Sequence, residues 1–201
     1  MMMRRFLTGT TTCCAALFLL SGCSISPRVT YYTLNAAATP EGSAPAPAID
    51  SVTIGPVTLP EVLDRQLLVV RTTATQVDIL EFNRWAAPLK SEIPRIISEN
   101  LTILVKPVRV STYPQNAGVD ADYRILVDIQ QFEMTAREGV VLDALWSVRR
   151  AAGGVPRTGR SVVSEPAGAA GYDALVAAQS RALATMSRDL ARALRTEAGA
   201  H

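Results

Sequence analysis

The 201-residue sequence contains one histidine, His201, and three cysteines, all of which precede residue 24. Ser-His-Asp sites, Cys-His sites and zinc sites made of His and Cys need these residue types in the folded body of a protein. None of these sites can be assembled here. Charged residues make up only 19% of the chain and form no long basic run, so the sequence lacks the footprint that a phosphate backbone requires. We therefore exclude nucleic acid as an expected partner.

Nucleotide and metal motifs are also missing. The glycines show neither the G-x-x-x-x-G-K nor the G-x-G-x-x-G spacing that cradles phosphates. Serines such as Ser161 have no candidate base. Several acids lack the loop spacing that would place their oxygens on one ion, and we interpret them as surface acids: Asp64, Asp78, Glu81 and Glu92. The sequence thus predicts neither an enzyme nor a metal or cofactor site.

The N-terminus has the layout of a bacterial secretory signal. Arg4 and Arg5 form a short positive region, and residues 6–20 are mostly apolar or small. This stretch is short and contains several threonines, and no later run reaches the about 18 apolar residues that a spanning helix needs. We therefore predict that residues 1–22 are a signal peptide and that the mature chain has no transmembrane helix.

The residues Leu20-Ser21-Gly22-Cys23 resemble the lipobox of bacterial lipoproteins, in which the cysteine thiol carries a diacylglycerol. Cys23 would then be the lipidated first residue, and we expect no cofactor apart from this covalent lipid. The alternative is an ordinary free or buried cysteine behind another type of signal. Two or three acyl chains hold a protein almost permanently, because each buried CH2 contributes about 0.8 kcal/mol. Since Ser24 stands where an aspartate favours the inner membrane in similar lipoproteins, we expect the periplasmic face of the outer membrane.

The first part of the mature chain contains two predicted segments, and the sequence allows two interpretations of where the folded domain begins. Tyr31, Tyr32 and Leu34 predict a short strand, and residues 36–48, rich in Ala and Pro, predict a flexible tether. Alternatively, everything before Ile49 is linker. We therefore divide the chain into a signal peptide (1–22), a lipidated N-terminus with strand and tether (23–48), and one domain (49–201).

The domain shows the patterns of an α+β fold. β-Branched and Leu-rich segments predict strands at 50–55, 66–72 and 76–81, alternation at 123–129 and 142–148 predicts a hairpin through the Arg137-Glu138-Gly139 turn, and a further strand lies near 160–164. One helix begins near Pro88, with a kink or a late start caused by Pro94, and another covers residues 172–197. We expect a mainly antiparallel sheet covered by these two helices. A row of arginines is interpreted as a solvated face of the second helix rather than a contact with anionic lipid: Arg181, Arg188, Arg192 and Arg195.

Two local constellations are candidates for binding a partner. The first combines a rigid turn with an acid and an arginine, and the second places a cation and a large aromatic before a helix. Trp and Arg are over-represented at interface hot spots, which favours a partner-binding rim. The structural alternative is that Asp64 or Arg65 holds a loop and Trp85 closes the end of the core. The residues concerned are Leu59, Pro60, Leu63, Asp64 and Arg65, followed by Arg84 and Trp85.

Together these motifs resemble a known family, the ABC-type transport auxiliary lipoproteins of the paraquat-inducible protein C kind. The resemblance covers nearly the whole mature chain, although Val62, Ala87 and Pro94 depart from the family pattern. It runs in order through Tyr31-Tyr32-Thr33-Leu34, Leu59-Pro60, Leu63-Asp64-Arg65, Arg84-Trp85-Ala86, Pro88-Leu89, Val127–Glu133, Ala144-Leu145-Trp146 and Tyr172-Asp173-Ala174-Leu175.

The resemblance implies a membrane-anchored periplasmic accessory to a transporter that moves lipids or other apolar molecules between the two membranes. Its partners would be an MCE-domain protein and the associated ABC ATPase and permease, and its role would be docking. Homo-oligomerisation is plausible on the same grounds, because MCE proteins form rings. One alternative is a periplasmic carrier that holds a lipid in its own apolar cavity between sheet and helices. An envelope hydrolase is disfavoured, because the body of the chain has no histidine.

Overall fold

The computed structural model describes residues 27–40, 49–105, 108–114, 121–135 and 138–199. In these residues, two helices pack on a single eight-stranded sheet, which confirms the predicted single-domain α+β fold. The elements are β1 (Thr30–Tyr32), β2 (Ser51–Thr58), β3 (Leu67–Arg71), β4 (Val77–Trp85), α1 (Leu89–Leu104), β5 (Arg109–Thr112), β6 (Tyr123–Thr135), β7 (Gly139–Arg150), β8 (Arg157–Glu165) and α2 (Tyr172–Ala198).

Strands β6, β7 and β8 form an antiparallel meander, as the alternation of their residues predicts. Tyr123, Ile125 and Val127 are buried on the face that the helices cover, whereas Arg124 and Asp128 are exposed on the other face. Pairing runs along nearly all of β6 and β7 and continues from β7 to β8. The predicted hairpin is therefore confirmed, although Arg137 of its predicted turn lies outside the described residues.

Two strands share the other edge of β6. The first half of β6 pairs in parallel with β2, and its last residues pair in parallel with β3. β5 extends the sheet from β2, while β4 and then β1 extend it from β3. The sheet is thus mixed: its longest pairings are antiparallel, and the parallel ones occur where the chain crosses back through α1 or enters from the N-terminus.

Helix α1 buries the predicted apolar face, from Leu89 through Ile93 and Ile97 to Leu104. It begins directly after Pro88, whose carbonyl accepts the amides of Ser91 and Glu92 at 2.9 and 3.0 Å. The predicted late start therefore does not occur, and Pro94 lies inside the helix. Burial of several large aliphatic side chains outweighs the about 3 kcal/mol that an interior proline costs.

Helix α2 packs on β7 and β8 through the predicted stripe that includes Val176, Leu183 and Leu190. One continuous core joins both helices to the sheet, and its first member along the chain is Leu34. A chain that begins at Ser24 therefore carries every core residue of the described part of the chain.

Candidate partner-binding surface

The loop between β2 and β3 is held by a residue that we predicted to bind a partner. Leu63 is only 7% exposed and belongs to the core, while Leu59 and Pro60 are half-buried. The amide of Leu63 donates to the carbonyl of Pro60 at 2.9 Å, which closes a tight turn. Leu63 therefore anchors the loop from inside, and its side chain is not available on the surface.

The polar residues of this loop remain at the surface. Asp64 accepts a hydrogen bond from Lys90 Nζ at 2.5 Å, which ties the loop to the first turn of α1. Both partners are more than a third exposed, so this ion pair contributes little to stability. Arg65 is exposed and forms no ion pair with the described residues.

Trp85 lies in the core and not on a rim. It is 3% exposed, and its amide donates to the carbonyl of Gln66 at 2.7 Å. This burial agrees with the structural alternative, in which Trp85 closes the end of the core. Arg84 beside it is partly exposed, and its Nε donates to the carbonyl of Glu81 at 3.3 Å.

Backbone pairing brings the segments of the two constellations next to each other. Leu67, which follows the loop, is the register partner of Arg84 on β4, and Tyr31 of β1 is paired with Arg84 on the other side. Four residues of these segments are exposed or partly exposed, and we call them the docking surface: Tyr31 (63% exposed), Val62, Arg65 and Arg84. Leu63 and Trp85 of the same segments belong to the core.

Residues 33–38, here named the N-terminal strap, lie against both helices. The hydroxyl of Thr33 donates to Glu92 Oε2 at 2.9 Å, and Arg95 Nη2 donates to the carbonyl of Leu34 at 3.2 Å. Arg95 also donates to Glu92 at 2.7 and 3.0 Å. The interpretation of Glu92 as a surface acid is therefore wrong: it is 7% exposed and holds the strap on α1.

The strap continues along a groove between the helices. The side-chain carbonyl of Asn100, a fully buried residue of α1, accepts the amides of Ala37 and Ala38 at 3.1 and 3.0 Å. The amide of Asn35 donates to the hydroxyl of Ser180 on α2 at 3.2 Å. The start of the predicted tether, residues 36–38, is thus packed rather than flexible, while residues 41–48 lie outside the described residues.

Sequence reasoning missed the role of Asn100, although a signal was present. Asn100 lies three and four residues after Ile97 and Ile96, so it falls on the apolar face of α1. A polar residue on such a face needs a hydrogen-bond partner. Its partners are backbone amides more than 60 residues earlier, which no local pattern indicates.

The electrostatics of the strap fix the charge of Glu92. The hydrogen bonds from the Arg95 guanidinium lower the pKa of the Glu92 carboxyl, and the Thr33 hydroxyl adds to this, whereas burial opposes it. The same contacts raise the pKa of Arg95. Glu92 is therefore ionised in the folded protein near neutral pH, and the strap is held by a charged pair.

Other predicted features can be placed as follows. Cys23 and the signal peptide lie outside the described residues. Within the residues that the structure covers, no helix is long and apolar enough to cross a bilayer, and no cluster of His, Cys, Asp or Glu could hold a metal ion. The arginine row of α2 does not only face solvent, because three of its members form contacts within the protein. Arg181 forms an ion pair with Glu165, Arg192 forms one with Asp189, and Arg195 donates to the carbonyl of Leu104 at 2.6 Å.

Comparisons with known proteins agree with this architecture. A crystal structure of an uncharacterized protein superposes with a TM-score of 0.66 at 20% identity, covering 84% of this chain and 99% of that one. Protein XCC0632 from Xanthomonas campestris, of family DUF330, gives a TM-score of 0.66 at 16% identity, with coverage of 84% and 97%. At such identities the likeness shows the fold alone.

No curated protein sequence matches this chain significantly. The family described as ABC-type transport auxiliary lipoprotein component matches residues 32–191, a range that begins in β1 and ends in α2. The match covers most of the chain and includes the strap and the docking surface apart from Tyr31. The chain therefore belongs to the ABC-type transport auxiliary lipoprotein family.

Proposed function

We propose that this auxiliary component is a docking subunit, held at the outer membrane by a lipid on Cys23, that binds an MCE-domain protein of its transporter. The transporter would move lipids or other apolar molecules between the two membranes. Membership in the auxiliary lipoprotein family is the observation that carries this proposal. Homo-oligomerisation belongs to it as well, since a ring-forming partner presents several equal docking positions.

The strap supports a close membrane attachment. If residues 24–48 were all tether, the domain could lie roughly 90 Å from the anchor. Because β1 begins at Thr30 and the strap follows it, only residues 24–29 connect Cys23 to the fold. A fully extended chain covers at most about 3.5 Å per residue, so Cys23 lies within about 25 Å of Thr30. The domain would therefore stay close to the membrane and present a fixed part of its surface to a partner.

The composition of the docking surface supports protein binding. It combines an exposed tyrosine and valine with two arginines, and the strap and the loop anchor Leu63 hold its backbone in place. Arg and Tyr are enriched at interface hot spots, and a rigid surface loses little entropy on binding. The hydrogen bonds of Ser161 favour a structural role for this residue rather than catalysis. Ser161 donates to Asp189 at 2.5 Å and accepts from Trp146 Nε1 at 3.0 Å.

A binding assay with a purified MCE-domain protein from the same organism tests the proposal. The protein variant Arg65→Glu/Arg84→Glu should bind at least about tenfold more weakly than wild type, because reversing two charges at an interface costs well over 1.4 kcal/mol. Arg124→Glu is the matched control, since Arg124 is an exposed arginine of β6 outside the docking surface. Equal affinity of both variants would refute this choice of surface, and no binding by the wild type would refute the docking role.

A further inference from the structure

The sheet face that the helices leave open carries an apolar groove of about 620 Å³. Its lining comes from β2, β6, β7 and β8 and includes Pro56, Leu126 and Leu145. Leu145 is 44% exposed although its side chain is large and aliphatic. The groove lies outside the core between sheet and helices, and its volume falls in the range of about 300–1,000 Å³ that is usual for small-molecule sites.

A second, polar pocket of about 340 Å³ lies between β8 and α2. Its charged lining consists of three arginines and one acid: Arg157, Arg160, Arg192 and Asp189. The groove and this pocket share Trp146, Thr158 and Arg160 as lining residues. Because β8 pairs only with β7 among the described strands, the two cavities meet around the free edge of β8.

Each of the three arginines is oriented by an acid and keeps donors for a ligand. Arg157 uses Nε to reach Glu197 at 2.8 Å, and Arg192 uses Nη2 to reach Asp189. Arg160 donates through Nε and Nη2 to Asp143 at 2.8 and 2.6 Å. A guanidinium has five N–H donors, so each retains some that can bind an oxyanion such as phosphate.

Trp146 connects the two cavities. Its ring lies over Gly159, where an added Cβ would come within 2.2 Å of the indole. Its Nε1 donates to Ser161, which in turn donates to Asp189 in the arginine pocket. Glycine at position 159 thus lets the indole settle against β8, between the apolar groove and the polar pocket.

We propose that these two cavities bind one phosphate-bearing amphiphile, with its apolar chain in the groove and its phosphate among the three arginines. The apolar lining favours a hydrocarbon chain, and the arginine side chains complement an anion at one end of it. This inference deepens the proposed function by giving the subunit its own contact with the transported class of molecule, and it rests on that function only for the identity of the cargo.

Calorimetric titration of the chain that begins at Ser24 tests the proposal with three probes. We expect a long-chain alkyl phosphate below its micelle concentration to bind at least about tenfold more tightly than an alkyl glucoside of the same chain length. Inorganic phosphate alone should bind more weakly still. A glucoside that binds as well would remove the phosphate from the proposal, and inorganic phosphate that binds as well would reduce the site to an anion pocket.

Two pairs of variants locate the site. Leu145→Gln should weaken binding of the alkyl phosphate at least about tenfold, whereas Val162→Gln, at a 66% exposed valine of β8 that does not line the groove, should leave it unchanged. Arg192→Gln should weaken binding of the alkyl phosphate but not of the alkyl glucoside. Arg124→Gln should weaken binding of neither. Unchanged affinity in Leu145→Gln and Arg192→Gln, or no binding by the wild type, overturns the inference.

The binding assay for the MCE-domain protein separates this inference from the docking role. If the alkyl phosphate fails to bind while the wild-type protein still binds its MCE partner, the amphiphile site is refuted and docking stands. If the alkyl phosphate binds but the partner does not, the amphiphile site stands without a docking role, as expected for a carrier.

Discussion

Asn100 of α1 holds Ala38 of the strap through a hydrogen bond of 3.0 Å from the Ala38 amide to its side-chain carbonyl, and the same oxygen accepts the amide of Ala37. The Asn100 side-chain amide also donates to Ser187 of α2 at 3.3 Å. One buried side chain therefore joins the strap to both helices. Since the strap directly follows β1, Asn100 fixes the chain immediately after its first strand.

Asn100→Ala should destabilise the protein by about 2–4 kcal/mol. The substitution leaves the half-buried amides of Ala37 and Ala38 without their partner, and each unsatisfied group costs about 1–3 kcal/mol. Urea unfolding measures the loss, and amide hydrogen exchange should show faster exchange at Ala37 and Ala38. Thr102→Ala, at an exposed residue of α1 that bonds only within its helix, serves as control. A loss no larger than in the control would mean that the strap is not held by Asn100.

The lowered pKa of Glu92 makes the free energy of unfolding depend on pH. Its pKa is lowered in the folded protein, chiefly by hydrogen bonds from Arg95, so its contribution is fully present above the ordinary value of 4.5. That contribution is lost as the pH falls from 4.5 through the lowered folded-state pKa. We expect stability to drop over this acid range and Glu92→Gln to show a weaker dependence.

The remaining dependence in Glu92→Gln should come in part from Glu133, whose pKa is lowered by its hydrogen bonds to Arg71. Urea unfolding at several pH values between neutral and acid measures both slopes. If wild type and Glu92→Gln lose stability equally as the medium is acidified, then Glu92 is not the charged partner that holds the strap.

Trp85→Ala should destabilise the fold by about 3–5 kcal/mol, because it opens a cavity at a side chain that is 3% exposed. Arg65→Ala should change stability by less than about 0.5 kcal/mol, because Arg65 is exposed and unpaired in the described structure. Thermal unfolding distinguishes the two. Comparable small losses would place Trp85 at the surface, as the partner-rim interpretation of the sequence requires.

Cys23→Ala should abolish incorporation of labelled palmitate in cells, because the thiol is the predicted site of acylation. Ser24→Ala keeps the thiol and should incorporate label like the wild type. Fractionation of the envelope then reports on the predicted outer-membrane position. Label retained in Cys23→Ala, or a wild-type product recovered without lipid, would remove the anchor from the account.

The sequence was sufficient to predict the elements whose pattern is local. The alternation around Ile125 and Val127 predicted β6 and its hairpin, and the spacing of Leu89, Ile93 and Ile97 predicted α1, because these faces are buried along one continuous element. The lipobox and the ordered motifs were enough to identify the family that the comparison confirms.

What the sequence could not predict depends on contacts between distant residues. An Ala- and Pro-rich segment is typical of a linker, and only Asn100 and Ser180, far along the chain, convert its start into a packed strap. Trp85 combines properties of a hot spot and of a core residue, so its burial had to be seen. The arginines of β8 and α2 lie more than 30 residues apart and form one pocket only through the packing of strand on helix.

Photo-crosslinking in intact cells tests the central claim most directly. With a photoreactive residue at position 65, the account predicts a covalent product that contains the MCE-domain protein, and none from the same residue at position 124. Equal products from both positions, or a product from position 124 alone, would contradict the claim that this lipoprotein docks its transporter through the docking surface.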